Sequence, residues 1–192
     1  MGKIFKLIAD DALETMNKDY DECHVCGQSQ VDLYPYQGSV KSIDETKEDI
    51  DIVCRDCIIT KDLNRIEDWV FIPKIKVYVE NLDLTENEKS DLTKRLCELY
   101  QRTPDIPMFM QQTDIPFCCA DITEFIGTPN KMNELLDIDT CIYWKNKPDK
   151  DISWTDIKSL DIQNPNVNNV LMDINVFKCS HCNNNYFTYQ TS

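Results

Sequence analysis

Cysteine is the residue type with the clearest chemical potential in this chain, because six of its ten cysteines form three C-x-x-C pairs. The pairs are Cys23 with Cys26, Cys54 with Cys57, and Cys179 with Cys182. A C-x-x-C turn directs two thiolates to one point, and two such turns supply the four soft ligands that tetrahedral Zn²⁺ prefers. The spacing therefore predicts at least one zinc site.

The first two pairs have the spacing of a closed structural zinc site. A segment of 27 residues, which contains a predicted hairpin, separates Cys26 from Cys54. Four thiolates complete a tetrahedron and leave no position for water, so such a metal is structural rather than catalytic. We predict zinc bound by Cys23, Cys26, Cys54 and Cys57, with His24 as a spacer. The alternative is a set of free or redox-active cysteines.

The third pair needs further ligands before it can hold a metal. The candidates are two adjacent cysteines, Cys118 and Cys119, and the more distant Cys141. Successive side chains diverge in extended backbone, so we expect one adjacent cysteine to bind while the other packs. The predicted second site contains Cys119, Cys179 and Cys182, and the alternative is a knuckle that holds no metal.

The same region permits an enzyme, in which Cys119 is a nucleophile and Asp121 an orienting carboxylate. A nucleophilic cysteine normally needs a neighbouring base, which is usually histidine. The two histidines of the chain, His24 and His181, both lie inside C-x-x-C pairs. This shortage, and the lack of a Gly-rich phosphate loop, a G-x-S-x-G or an H-E-x-x-H motif, favours a protein that is not an enzyme.

The composition is strongly acidic, with a formal charge of −14 from 34 acidic and 20 basic residues. Such a field repels nucleic-acid phosphates and speeds association with a basic partner, although solubility alone is a simpler reason for it. A thin basic patch at Arg55, Lys61 and Arg65 favours nucleic acid, but neighbouring acids cancel most of it. We therefore expect a protein partner rather than a nucleic acid.

The apolar segments bear on the compartment. The N-terminal sequence has only about five apolar residues before two acids, which is too short for the core of a signal peptide. No run approaches the ~18 apolar residues of a membrane span. We expect a cytoplasmic protein without membrane association, in which the ten cysteines serve metal binding rather than disulfides. Disulfides are the alternative.

The first part of the chain is predicted to be an N-terminal helix plus a zinc-binding module over 1–70. Apolar residues at helical spacing indicate a helix at 3–17. The segment 31–37 is predicted to be extended, and a helix is predicted to begin at the second C-x-x-C and to continue over 57–68. A knuckle, a hairpin and a C-x-x-C that opens a helix are typical of a treble clef, although a zinc ribbon would use the same cysteines.

Residues 71–192 are predicted to form a mixed α/β remainder, in one compact unit with the zinc module, so that the fold class is α+β. The β-branched and aromatic run at 70–79 indicates a strand, interrupted or placed at an edge by Pro73. Thr85 and Glu88 form a capping box for the clearest helix of the chain. The other predicted elements are one or two helical turns at 121–126, a short helix at 131–137, and strands at 141–144, 170–178 and after Cys182.

Several stretches, in order, resemble the CbrC-like family, an uncharacterised bacterial family linked to tolerance of a nuclease colicin. They are CHVCGQ at 23–28, CRDCI at 54–58, RTPDI at 102–106, QQTDIPFCCADITEFIG at 111–127 and FKCSHC at 177–182. The chain differs where the family tends to have Pro-Trp, here Arg55-Asp56, and where it has His-Cys, here Cys118-Cys119. Because the cysteine frame is kept and that histidine is not, the resemblance implies a metal site more than a shared catalytic chemistry.

These observations predict an acidic, zinc-stabilised binding protein of the cytoplasm. The resemblance implies an immunity or toxin-tolerance protein that neutralises a basic bacterial toxin. The alternative is an enzyme of unknown reaction with a site near Cys119 and Asp121.

Overall fold

The computed structural model confirms the α+β class, with helices and antiparallel strands in the same chain. Contacts divide the chain into two units, Met1–Pro107 and Met108–Ser192. The structure describes residues 2–40, 49–65, 68–106, 113–128, 141–144 and 174–189. In this described part, no helix has the length and apolar character needed to cross a bilayer.

The N-terminal segment does not form the helix predicted at 3–17. It contains a single 3-10 turn, Asp10–Ala12. The Asp10 carboxylate accepts hydrogen bonds from the backbone N–H groups of Lys3 at 2.7 Å and Ile4 at 3.1 Å. An acidic side chain that satisfies backbone donors in this way competes with helical hydrogen bonding. The apolar residues that suggested a helix are instead distributed over an irregular segment that packs on the core of the first unit.

A three-stranded antiparallel sheet forms the centre of the first unit. Its strands are β1 (Leu33–Val40), β2 (Asp49–Cys54) and β3 (Leu63–Arg65), in the order β2-β1-β3. Strand β1 contains residues 33–37 of the segment 31–37 that was predicted to be extended, and it pairs with both neighbours. At Gly38 a β-carbon would collide with the carbonyl oxygen of Asn64, so the close approach of β1 and β3 requires glycine there.

A short helix, α1 (Arg55–Thr60), begins directly after β2. The predicted helix at 57–68 is therefore correct over 57–60 and wrong over 63–65, where β3 pairs with β1. The chain turns out of the helix at Lys61, which has an extended conformation. Helix α1 is thus long enough to present one turn of side chains after Cys54 and little more.

The segment predicted as a strand at 70–79 is a helix, α2 (Asp68–Glu80). Phe71, Ile75 and Val79 are buried, and they recur at every fourth residue, which is the period of a helix face. The β-branched composition suggested a strand, but packing of this one apolar face overrides local propensity. Pro73 lies within the helix on its exposed side.

The helix predicted after Thr85 is confirmed as α3 (Glu86–Gln101). The Thr85 hydroxyl oxygen accepts from the backbone N–H of Glu88, and the Glu88 carboxylate accepts from the backbone N–H of Thr85 at 2.9 Å. Leu96 and Tyr100 are the buried positions of this helix. The Tyr100 ring lies 4.6 Å from that of Phe71, between ring centroids, so α3 packs against α2.

Replacing Thr85 by alanine is expected to destabilise the first unit by about 1 kcal/mol, because the substitution removes the oxygen that caps the N-terminus of α3. Urea unfolding followed by far-UV circular dichroism measures this change. Thr85→Ser keeps the hydroxyl and serves as the control. Equal stability of the Ala and Ser variants would contradict a capping role.

The second unit is built from strands. A small hairpin pairs β4 (Phe117–Cys118) with β5 (Asp121–Ile122). A four-stranded sheet has the order β6-β8-β9-β7 and is antiparallel except for the parallel pair β7 and β9. Its strands are β6 (Glu124–Gly127), β7 (Ile142–Tyr143), β8 (Ile174–Lys178) and β9 (Asn185–Tyr189).

The strands predicted at 141–144 and after Cys182 are confirmed as β7 and β9, and the described end of 170–178 is β8. The helical turns predicted at 121–126 are wrong, because this stretch supplies β5 and β6. Phe125 of β6 packs against Phe177 of β8, with ring centroids 5.7 Å apart. The short helix predicted at 131–137 lies outside the described residues.

Candidate metal centres

The first two C-x-x-C pairs come together in the first unit. The four sulfur atoms of Cys23, Cys26, Cys54 and Cys57 all lie within 4.8 Å of one another, and those of Cys26 and Cys54 are 3.9 Å apart. With Zn–S bonds of about 2.3 Å, the sulfurs of a tetrahedral zinc centre lie about 3.8 Å apart, whereas a disulfide requires about 2.05 Å. All four thiols are free, so the donor set fits a metal ion.

The first pair is held by a knuckle. The N–H of Cys23 donates to the carbonyl of Gln28 at 3.1 Å, and the N–H of Gly27 donates to the carbonyl of Cys23 at 2.8 Å. Gly27 has a φ of 67°, a left-handed conformation that glycine adopts without penalty. The His24 N–H donates to the carbonyl of Ile52 at 3.0 Å, which fixes the knuckle against β2.

The second pair is positioned by the junction of β2 and α1. Cys54 is the last residue of β2 and the N-cap of α1, and Cys57 lies in the first turn of that helix. Because a helix turns through 100° per residue, three residues bring Cys57 back to the side of Cys54. The Cys54 N–H also donates to the sulfur of Cys23 at 3.3 Å, and this hydrogen bond connects the second pair to the first.

Burial gives the first centre its electrostatic character. Cys23, Cys54 and Cys57 are part of the hydrophobic core. Burial raises the pKa of Cys57 and of Cys54. Burial also opposes ionisation of Cys23, but N–H groups of the backbone, first that of Cys54, lower its pKa to about 7. Such a cluster becomes four thiolates only when a cation compensates their charge, as a bound metal does.

His24 has contacts of its own outside the cluster. Its Nδ1 accepts the N–H of Asp51 at 3.3 Å, and its ring stacks edge-on against Tyr20 with centroids 5.7 Å apart. It is absent from the group of four ligand atoms.

A second group of four cysteines comes together in the second unit. The sulfurs of Cys118, Cys119, Cys179 and Cys182 all lie within 4.8 Å of one another. The Cys118 sulfur is 3.6 Å from that of Cys119 and 3.5 Å from that of Cys182, again close to the spacing of a tetrahedral centre. Two groups of four cysteines in this chain could therefore hold a metal ion.

Both adjacent cysteines reach the second cluster, contrary to the expectation from extended backbone. Cys118 ends β4, and Cys119 and Ala120 form the two-residue turn before β5. Their φ values are 52° and 57°, the positive angles of a type I′ hairpin turn. This left-handed turn rotates Cys119 out of the strand alternation and toward Cys118. Cys141, the other candidate, is not in the cluster, and burial raises its pKa to about 11.

The second cluster uses the same knuckle as the first. The Cys179 N–H donates to the carbonyl of Asn184 at 2.8 Å, and the N–H of Asn183 donates to the carbonyl of Cys179 at 3.0 Å. Asn183 has a φ of 60° and occupies the position that Gly27 has in the first knuckle. Sequence reasoning missed Asn183, although asparagine directly after a C-x-x-C pair is a usable signal, because it tolerates left-handed backbone.

Neighbouring side chains hold the second cluster in place. The Tyr186 hydroxyl donates to the sulfur of Cys118 at 3.1 Å, and Nε2 of His181 lies 3.0 Å from Oδ2 of the buried Asp121. Burial raises the pKa of Cys118 to about 12. A hydrogen bond from the Asn184 backbone lowers the pKa of Cys182 to about 7.

The sequence profile of an uncharacterised protein family, UPF0167, matches residues 8–190. The chain belongs to this family. No curated protein and no solved structure matches it. The matched region includes both cysteine clusters and extends over both units. Membership in UPF0167 carries no activity with it, and the link to colicin tolerance stays a prediction.

In this UPF0167 member the basic patch predicted at Arg55, Lys61 and Arg65 is not formed as such. Arg55 and Lys61 are exposed, but Arg65 is buried. The Arg65 guanidinium pairs with Asp105 and donates to the carbonyl of Thr103 at 2.6 Å. Two of the three residues of the predicted patch are therefore exposed.

Proposed function

We propose that the chain is a two-zinc protein in which each unit is organised around one four-cysteine centre, and that it acts by binding another protein. The observation that supports the two zinc centres is the assembly of eight cysteines into two groups of four, with sulfurs at the spacing of a tetrahedron. Thiolates are the ligands that select zinc among the common divalent ions of the cell. The knuckle, the β1–β2 hairpin and α1 support a treble-clef module for the first centre.

Zinc supplies cross-linking here rather than catalysis. Four thiolates fill a tetrahedral centre, so neither donor set leaves a position for a substrate or a water. In the first unit the ligands tie the knuckle to the end of β2 and to α1. In the second they tie the β4–β5 turn to the segment between β8 and β9.

The surface next to the first centre is acidic. Asp21, Glu22, Asp51 and Asp56 are exposed and flank the four ligands or the loop that carries them. Four thiolates around one Zn²⁺ add a net charge of about −2. With a chain charge of −14, this face attracts a basic partner and speeds its association. A basic toxin domain is the partner that this proposal names.

Zinc analysis and measurements of binding and association rate test the proposal. The purified chain is expected to contain two zinc ions, and immobilised chain is expected to bind a basic nuclease-toxin domain from a panel of such domains. A variant with Asp21→Asn, Glu22→Gln, Asp51→Asn and Asp56→Asn should associate about tenfold more slowly at low salt, and the difference should shrink as salt screens the charges.

A matched variant separates a local face from overall charge. Glu80→Gln, Asp83→Asn, Asp91→Asn and Glu98→Gln neutralise four exposed acids on or near α2 and α3. This control should keep most of the association rate. Failure of every basic domain to bind would contradict the proposal of a basic partner. A zinc content below two would contradict the two-centre architecture.

A further inference from the structure

The two metal centres differ in how well their ligands are protected. In the first, Cys23, Cys54 and Cys57 are buried and only Cys26 is exposed. In the second, Cys119 and Cys182 are both exposed. An exposed metal thiolate can meet reagents from solvent, so the second centre is the more reactive of the two. Exposure alone does not distinguish Cys119 from Cys182.

Hydrogen bonds distinguish them. The Cys118 sulfur accepts the Tyr186 hydroxyl, the Cys179 sulfur accepts the N–H of His181 at 3.4 Å, and Cys182 accepts the N–H of Asn184. Among the described residues, Cys119 contacts other sulfurs but receives no N–H or O–H donor. Donors to a metal-bound sulfur withdraw charge from it and orient it, so a sulfur without them keeps more of its nucleophilicity.

The backbone also favours release of Cys119. Both residues of its turn have positive φ without being glycine, which costs conformational energy as long as the turn holds this shape. Other contacts keep the site assembled without the Cys119 sulfur. Tyr186 holds Cys118, and the contact between His181 and the buried Asp121 joins β5 to the C-terminal knuckle. Three thiolates therefore stay in place when the fourth leaves.

We propose that Cys119 is the reactive ligand of the second centre, a zinc-bound thiolate that is alkylated by soft electrophiles. The inference rests on the proposed two-zinc architecture. In the reaction the Cys119 sulfur forms a bond to carbon and the carbon–halogen bond breaks, with the halide leaving with its electron pair. The product is a neutral thioether, which is a weak zinc ligand. Zinc at this centre then retains three thiolates and becomes accessible to a chelator.

Limited alkylation of the zinc-loaded full chain tests the inference. Substoichiometric iodoacetamide is added at neutral pH, the label is located by peptide mass spectrometry, and zinc release is followed with a chromogenic chelator. Cys119 should carry about ten times more label than Cys182, a difference of the size produced by outer hydrogen bonds to metal ligands. Release of one zinc should follow the labelling of Cys119, with the four ligands of the first centre unlabelled.

Two variants that leave all eight ligands in place sharpen the test. Ala120→Gly relieves part of the turn strain in the bound form, so labelling of Cys119 should slow by about fivefold. Tyr186→Phe removes the hydroxyl that protects Cys118, so label at Cys118 should rise while label at Cys119 stays the same. A merely exposed cysteine would not respond to either substitution in this way.

The outcomes separate this inference from the proposed function. Two zinc ions per chain with label first on Cys182, or spread evenly over the second centre, would overturn the reactive role of Cys119 and leave the two-zinc architecture intact. A zinc content of one or less would overturn both.

Discussion

Cys57→Ser is expected to unfold the first unit and to lower the zinc content of the chain from two to one. The side chain of Cys57 lies in the hydrophobic core next to three other ligands, so its loss removes the metal and leaves buried thiols without a counter-charge. Structural zinc contributes about 10–16 kcal/mol in apparent free energy, which equals or exceeds the whole stability of a typical domain. Zinc analysis and hydrogen exchange of peptides from 2–106 measure the two effects.

Cys97→Ser is the matched control for this prediction. Cys97 is a half-buried cysteine on α3 that belongs to neither cluster of four. Its replacement should cost no more than about 2 kcal/mol and should leave both zinc ions bound. Peptides from the second unit should keep their protection in Cys57→Ser, because their own cluster is intact. A Cys57→Ser protein with two zinc ions and a protected first unit would contradict the assignment.

The features that could be predicted from the sequence are those set by short-range spacing. Two C-x-x-C pairs determine how four sulfurs can meet, and the structure brings all four together. The capping box at Thr85 and Glu88 depends on residues three positions apart, and it forms as predicted. Such patterns need only the local geometry of turns and helices, which one sequence contains.

The wrong predictions occur where packing decides between two local options. The run at 70–79 is rich in β-branched residues, yet α2 forms because a helix buries Phe71, Ile75 and Val79 on one face. The period of four was present in the sequence, but the composition suggested a period of two. Residues 121–126 show the reverse case, since an expected helical turn becomes two strands that pair with β4 and β8.

The second cluster of four cysteines depends on a turn that could not be predicted from the residues that form it. Type I′ turns usually carry glycine or asparagine, and here the two positions are Cys119 and Ala120. In extended backbone, one of the adjacent cysteines would face away from the other. The hairpin between β4 and β5 brings the two cysteines together, because its turn rotates Cys119 toward Cys118.

The contacts around Arg65 explain the structural role of the stretch RTPDI at 102–106. The Thr103 hydroxyl donates to the carbonyl of Leu99 at 2.8 Å and thereby closes the end of α3. The Asp105 carboxylate pairs with Arg65 of β3 and accepts the N–H of Gln37 of β1 at 2.6 Å. The stretch therefore connects the end of α3 to the sheet, a structural task that requires no catalytic chemistry.

The Arg65 guanidinium is the buried charge on which this junction depends. It lies 4.5 Å from the ring centre of Tyr100 and 5.2 Å from that of Tyr36. It donates to the backbone carbonyls of Tyr100 and Thr103, and its counter-ion is Asp105. A buried cation adds little net stability to the fold when all of its partners are present. Removing one partner is strongly destabilising, because the cation then stays buried without full compensation.

Asp105→Ala is therefore expected to destabilise the first unit by about 3 kcal/mol, because it leaves the Arg65 guanidinium buried without its carboxylate. Glu80→Ala is the matched control. It removes the carboxylate that lies 3.5 Å from Lys89 and is largely exposed, so its cost should stay below about 1 kcal/mol. The double variant Arg65→Met with Asp105→Ala should recover part of the loss, since it removes the cation together with its partner. Denaturant unfolding of the zinc-loaded chain measures all three free energies. Equal costs for the Asp105 and Glu80 substitutions would show that the pair at Arg65 behaves as a surface ion pair.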